Sequence, residues 1–398
     1  MKHGDQLTNK NSNNEINDDK LLVPELVEEW DDFDDNAIKS IIAVCTVLLL
    51  ILGSGIIYIA WNNWWNEELI GPGTFLTSRQ YNYEKLVGFS NQDLTGEGII
   101  VCIVDSGIDL THPDLHHLEL KGWKDLINSR TDVYDDHGHG TMMAGIMVAK
   151  GGLNGLAPDV DLLVAKALSK DGTGSDAVVS EAIDWCRTNN ADIISLSLGG
   201  APGIIPTFLG GDSVEDSVNE AMDEGIYVVA AGGNDGEEES DDDVDSPCSV
   251  ENVICVGGVG IDGSIWSGSS KGSNDFQLFP PKLARQDPDK KPELVAPADS
   301  VPVLVSTNTG ANEPSKATYG SASGTSAATV YVSSAIALML ETNPSLSRNG
   351  SEGGNIDSIE QVKQWIKDSC LPRNNSEEHD EYYGYGLLQV NVLLNRST

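Results

Sequence analysis

Ile99-Ile100-Val101-Cys102-Ile103-Val104-Asp105-Ser106-Gly107-Ile108-Asp109 is an apolar run that ends on a carboxylate and a turn. A half-buried antiparallel strand would alternate polar and apolar side chains. This run does not, and its β-branched residues argue for a strand covered on both faces, as in a parallel sheet. Four further runs have the same character: DLLVAKAL (161–168), DIISLSL (192–198), IYVVAAGG (226–233) and NVICVGGVG (252–260). Amphipathic helical stretches, such as Asp176–Thr188 and Ser213–Glu224, lie between them. Alternating strands and helices with glycine-rich strand ends predict an α/β domain, a central parallel sheet flanked by helices. Functional groups in such folds gather at the carboxyl ends of the strands.

The 398 residues hold 24 Lys+Arg against 62 Asp+Glu, so the formal charge is 24 − 62 = −38. A surface this acidic excludes a nucleic-acid binder that relies on lysine and arginine to meet phosphates. With 39% hydrophobic residues the chain is still rich enough to bury a core. The acidity implies a strongly hydrated surface.

Four segments are expected. Residues 1–36 are polar and end in acids, and read as a disordered acidic tail. Residues 37–61 read as a transmembrane helix, because Ile41–Ala60 carries no charge and a bilayer core needs about 20 such residues. Trp61, Trp64 and Trp65 follow as an aromatic belt would. The run lacks the short basic start and small-residue exit of a cleaved signal peptide. Lys39 on one flank, against Glu67 and Glu68 on the other, puts the tail in the cytoplasm and the rest outside. The chain then meets membrane lipid through residues 41–60 as a single-pass protein. Residues 62–90 read as a juxtamembrane linker, too short for a folded pro-domain, and 91–395 as the catalytic domain.

Cys45 and Cys102 lie in apolar runs and read as small buried hydrophobes. Cys186, Cys248, Cys255 and Cys370 are the residues that could pair in an oxidising compartment. Asn349-Gly350-Ser351, Asn374-Asn375-Ser376 and Asn395-Arg396-Ser397 are glycosylation triplets of the kind that also arise by chance.

Three motifs carry the chemistry, in the order Asp, His, Ser. Val104-Asp105-Ser106-Gly107 closes a strand, Asp136-His137-Gly138-His139-Gly140-Thr141 opens a helix, and Gly320-Ser321-Ala322-Ser323-Gly324-Thr325-Ser326-Ala327-Ala328 turns into an apolar helix. A serine at a helix start lies where backbone N–H groups can meet a developing oxyanion. A neutral imidazole can take its proton, and a carboxylate can hold the imidazole's tautomer.

In these motifs the chain resembles the subtilisin-like serine proteases, the subtilases, over roughly residues 91–395. Ser195-Leu196-Ser197-Leu198-Gly199-Gly200, Lys291-Pro292-Glu293-Leu294-Val295-Ala296-Pro297 and Tyr383-Gly384-Tyr385-Gly386 extend the likeness. The resemblance implies a serine endopeptidase acting on proteins or peptides. Asp105 would orient the base, His139 would be general base and acid, and Ser326 the nucleophile. Asn234 would supply the oxyanion amide. Ser197, Leu198, Gly199, Gly232 and Gly233 would wall the main specificity pocket, and Asp245, two residues before Pro247, would floor it and favour Arg or Lys on the acyl side. Asp243 is the alternative floor residue. The rival class is a catalytically inactive subtilase fold that serves as a binding module at the membrane.

No cofactor is required by this chemistry, though Ca²⁺ is possible as a structural ion. Asp114 matches a calcium-ligand position, but the loop 150–155 is short. Asp241 and Asp243 sit in the acidic run 237–245, which a cation would relieve of repulsion and which reads more simply as a solvated loop. Ala328-Thr329-Val330 stands where the family has a proline after the nucleophile, so a straighter helix is expected.

Overall fold

The computed structural model describes residues 35–65, 71–89, 93–198, 213–238, 243–276, 283–307, 309, 317–376 and 378–396. The chain divides into two units, residues 1–68 and 69–398.

In the first unit helix α1 (Asp35–Trp65) contains a stretch, Ile38–Tyr58, of 21 residues with mean hydropathy 2.6 and no burial. That is long and apolar enough to cross a membrane. Its serine and threonine hydroxyls are satisfied within the helix: Ser40, Thr46 and Ser54 donate to the carbonyls of Asn36, Ile42 and Ile51. A polar side chain in hydrocarbon needs such a partner. Cys45, expected to be buried, is exposed on this helix.

The second unit opens with α2 (Thr74–Leu86), inside the stretch read as a linker. Tyr83 is fully buried, and Arg79 donates to the carbonyls of Asp299 (3.0 Å) and Ser300 (2.7 Å). The folded unit therefore begins before residue 91.

Seven strands form one parallel sheet: β1 (Ile100–Asp105), β2 (Gly122–Asp125), β3 (Asp161–Lys166), β4 (Ile193–Leu196), β5 (Tyr227–Ala231), β6 (Ile254–Val259) and β7 (Leu294–Pro297). Their order is β2-β3-β1-β4-β5-β6-β7, and β1, β4, β5 and β6 are buried throughout except at Ile100. The predicted continuous apolar runs are these strands. Chain order reverses between β1 and β4, and such a switch point leaves a crevice at the strands' carboxyl ends.

Helices α3 (His139–Val148), α4 (Asp176–Thr188), α5 (Ser213–Asp223), α6 (Thr325–Thr342), α7 (Ile356–Ser369) and α8 (Val390–Arg396) complete the unit, with a hairpin of β8 (Val301–Leu304) and β9 (Tyr319–Ala322). α6 packs on β4, β5, β6 and β7 and is buried from Thr325 to Leu340, as an all-round apolar helix must be. It runs unbroken where the family's proline is missing. Its buried Ser333 is satisfied by Thr329 O (2.9 Å) and Ser195 Oγ (3.0 Å).

The cysteine reading needs correction. Cys102 is bonded to Cys186, joining β1 to α4, and Cys248 to Cys255. Apolar surroundings made Cys102 read as a hydrophobe. Its partner lies 84 residues on, a proximity that the packing of α4 on β1 creates.

Candidate active site

Neighbouring strands line up the candidate residues. β1 ends on Asp105, β4 runs into Ser197-Leu198, and β5 runs into Gly232-Gly233-Asn234. Because these three strands are adjacent and parallel, the three sets share one edge of the sheet.

His139 is the first residue of α3 and presents Nδ1 to Asp105 Oδ1 and Oδ2 at 2.8 and 2.9 Å. Close backbone approach makes this possible. A Cβ on Gly140 would stand 2.1 Å from Gly107 O, and Gly107 has φ +119° with Tyr134 O equally close, so the Asp-Ser-Gly turn and the His-Gly helix start each need their glycine. Asp105 is fully buried, whereas a quarter of the His139 side chain is exposed. Burial pulls the imidazole's pKa down, but the Asp105 carboxylate, with Asp135 behind it, more than reverses that, and the net pKa is raised. His137 is exposed, its ring centroid 6.2 Å from that of His139.

Two supporting groups escaped the sequence reading. Asp135, fully buried, accepts from Ser106 Oγ, the amides of His137, Gly138 and Thr141, and Thr141 Oγ1, all within 2.6–3.1 Å. Lys166, also fully buried, donates to Ser106 O (2.6 Å), Asp136 Oδ1 (2.6 Å) and Leu168 O (2.9 Å). Together they join the Asp105 turn to the His139 turn. A lysine inside the apolar run 161–168 was the available signal, since buried charge is rare unless paired.

Ser326 lies in the first turn of α6 and is 7% exposed. Its Oγ donates to Ser197 O at 3.1 Å, and Ser197 Oγ returns a bond to Ser326 O at 3.3 Å. The structure thus ties Ser326 to the β4 edge rather than to His139 by a hydrogen bond. Asn234 Oδ1 accepts from Thr325 N and Oγ1, both at 3.0 Å, which fixes the amide's orientation. Asn234 Nδ2 and Ser326 N stand 3.8 and 3.9 Å from the point that a Cβ on Gly324 would occupy. Two N–H groups therefore border one small space at the helix start.

Gly232 and Gly233 lie beside Asp245. The Asp245 amide donates to Gly232 O at 3.1 Å, and Asp245 Oδ2 is 2.9 Å from where a Gly233 Cβ would stand, with Ser270 Oγ at 2.5 Å. Asp243, the alternative floor, is held by Arg285 at 2.7 and 3.0 Å. Leu198 packs partly against the core. Gly199 and Asp241 lie outside the described residues.

The two calcium candidates among the described residues, Asp114 and Asp243, do not fit a cation. Asp114 accepts from the amides of Gly152 and Leu153 and from Tyr319 Oη, each at 2.9 Å, so N–H and O–H donors occupy both of its oxygens. Asp243 is neutralised by Arg285. Among the described residues no group of three or more His, Cys, Asp or Glu side chains could hold a metal ion.

The arrangement can be set against known proteins. The profile of the subtilase family matches residues 96–386. Subtilisin E of Bacillus subtilis (strain 168) is 32% identical over 310 residues, covering 77% of this chain and 68% of that protein. Subtilisin of Bacillus pumilus is also 32% identical over 310 residues, covering 77% and 94%. The crystal structure of a cold adapted subtilisin-like serine proteinase superposes with a TM-score of 0.56 at 22% identity, covering 75% of this chain and 91% of that one, and so shares the fold. With a parallel sheet and a family match over most of its length, the chain belongs to the subtilase family of serine-type endopeptidases.

Proposed function

We propose that the chain is a membrane-anchored endopeptidase in which Ser326 is the nucleophile, His139 the general base and acid, and Asp105 the group that orients it. The observation that carries this reading is the paired contact of Asp105 with His139 Nδ1, which leaves Nε2 as the proton acceptor. Ser326 Oγ turns from the Ser197 carbonyl, attacks the scissile carbonyl carbon and gives its proton to Nε2. The carbonyl oxygen becomes an oxyanion that accepts from Asn234 Nδ2 and Ser326 N. Collapse breaks the C–N bond, and the imidazolium returns its proton to the leaving amine. Water then repeats the sequence on the acyl-enzyme. None of these steps uses a cofactor.

Asp245 beside Gly233 supports a preference for Arg or Lys on the acyl side. The apolar stretch of α1 supports anchoring through residues 41–60, with the catalytic domain outside the cytoplasm.

A fluorophosphonate probe tests the nucleophile. The wild-type chain should be labelled on Ser326 and Ser326→Ala should not, with activity lower by about 10⁴-fold or more, the size seen in subtilisin itself. An unlabelled wild-type protein indistinguishable from Ser326→Ala would instead leave an inactive binding module.

A further inference from the structure

We propose that the Cys248–Cys255 disulfide is a positioning element for the acyl-side specificity pocket, setting which side chain that pocket selects rather than how fast Ser326 reacts. The inference rests on the reading of Gly232, Gly233 and Asp245 as that pocket.

Cys255 lies in β6, in register with Ala230 of β5, and Cys248 lies in the loop returning to β6, with its Sγ 3.3 Å from Ala230 O. β5 is the strand that continues into Gly232-Gly233-Asn234. A Cβ on Gly232 would stand 3.7 Å from Cys255 Sγ, so the bridge lies directly behind the pocket wall. Asp245 is three residues before Cys248. Its carbonyl accepts from Ser249 N at 3.0 Å, and its amide donates to Gly232 O at 3.1 Å. The loop is thus fixed to the β5–β6 pair on both sides of Ser246-Pro247.

A second anchor on this loop is the Arg285–Asp243 ion pair, whose side chains are 12% and 26% exposed. Partial exposure lets salt weaken an ion pair, whereas a covalent bond is indifferent to salt. Asp245 is held between these two anchors. Misplacing a charged group by about 1 Å can cost up to about 100-fold in rate, so a loosened loop shows first in selectivity. Both cysteines are fully buried, which keeps solvent thiols away from the folded enzyme and makes the role positional.

The experiment compares the full-length wild-type enzyme with Cys248→Ala/Cys255→Ala on a peptide library varied at the acyl-side residue, at low and high salt. The expected result is a loss of about 10-fold in kcat/KM for Arg, carried by KM and deepened by salt. The kcat and the rate of fluorophosphonate labelling at Ser326 should stay within about twofold. Cys102→Ala/Cys186→Ala, which removes the bridge away from the pocket, should leave the library profile unchanged. If the alanine pair does not fold, Cys248→Val/Cys255→Ala refills the sulfur volume and is read the same way. A retained wild-type profile, or an equal fall for every acyl-side residue with slower labelling, overturns the proposal. Indifference of the wild type to Arg against Leu, unchanged by Asp245→Ser, defeats the basic-pocket reading separately. The bridge is then judged on whatever profile the wild type has, and retention of that profile overturns it.

Discussion

His139 is pulled two ways: burial favours the neutral imidazole, while Asp105 and Asp135 favour the imidazolium and prevail. In the proposed mechanism the neutral form accepts the Ser326 proton, so activity should appear as pH rises through the raised pKa. Asp105→Asn removes the largest favourable contribution to the charged form. The pKa of His139 should then fall and the acid limb of kcat/KM should move to lower pH, while kcat drops by about 10⁴-fold because the tautomer is no longer held. An acid limb that stays in place would detach Asp105 from the base. At Asp245 the expected effect is on selection: Asp245→Ser should lower kcat/KM for Arg substrates by about 30-fold or more, since desolvated charge pairs couple by about 2–5 kcal/mol. Cleavage after Leu should be little changed, and equal loss on both substrates would place Asp245 outside the pocket. The pairing of Asp105 with His139 and the place of Ser326 at the start of α6 were legible from short glycine-containing motifs that resemble those of the subtilases. Asp135 and Lys166 could not, because their roles come from two loops meeting, and one residue's neighbours in sequence do not reveal that meeting.

At the scale of elements, the sheet edge is held by buried charge as well as by apolar packing. Lys291, Glu293 and Lys363 are essentially unexposed, and Asp289 is half-buried beside them. Glu293 accepts from Lys291 (2.7 Å) and Lys363 (2.8 Å) through one oxygen and from Cys255 N (2.8 Å) through the other, linking β7, α7 and β6. Burial pushes the Lys291 ammonium down to about 8, against the Glu293 and Asp289 carboxylates, which pull it up. Glu293→Gln leaves two buried lysines with one carboxylate partner, and should destabilise the fold by about 3–5 kcal/mol, read as a lowered Tm. An unchanged Tm would mean that the cluster is not desolvated. The strands themselves were legible, because burial on both faces demands unbroken apolar runs such as residues 226–231. α2 was not, because it buries little besides Tyr83 and shows no apolar stripe. The Cys102–Cys186 bridge was hidden for a related reason: spacing along the chain does not tell which helix covers which strand.

On the scale of the whole molecule, the proposed anchoring by α1 decides which compartment the active site would face. Ile38–Tyr58 is 21 residues long, and its serine and threonine hydroxyls are spent on the helix's own carbonyls, which lowers the cost of placing it in hydrocarbon. Cytoplasmic flanks collect Lys and Arg, and acids contribute little to orientation. Lys39 lies at the N-terminal end of this stretch, while the C-terminal flank carries Glu67 and Glu68 with no base between Trp61 and Phe75. Under the proposed anchoring, this asymmetry argues for an N-terminus inside and residues 69–398 outside. An external setting also suits the two disulfides of the second unit, since reducing compartments keep thiols free. Protease added to intact cells or spheroplasts should therefore degrade the subtilase domain while a tag at the N-terminus survives. Lys39→Glu should weaken that orientation, giving a fraction of chains with the domain protected. A wild-type chain whose domain is protected and whose tag is removed would reverse the topology and confine the enzyme to cytoplasmic substrates. Release of the whole chain by washing at high salt would show instead that α1 does not span the bilayer, because salt disrupts surface adhesion but leaves an inserted helix in place.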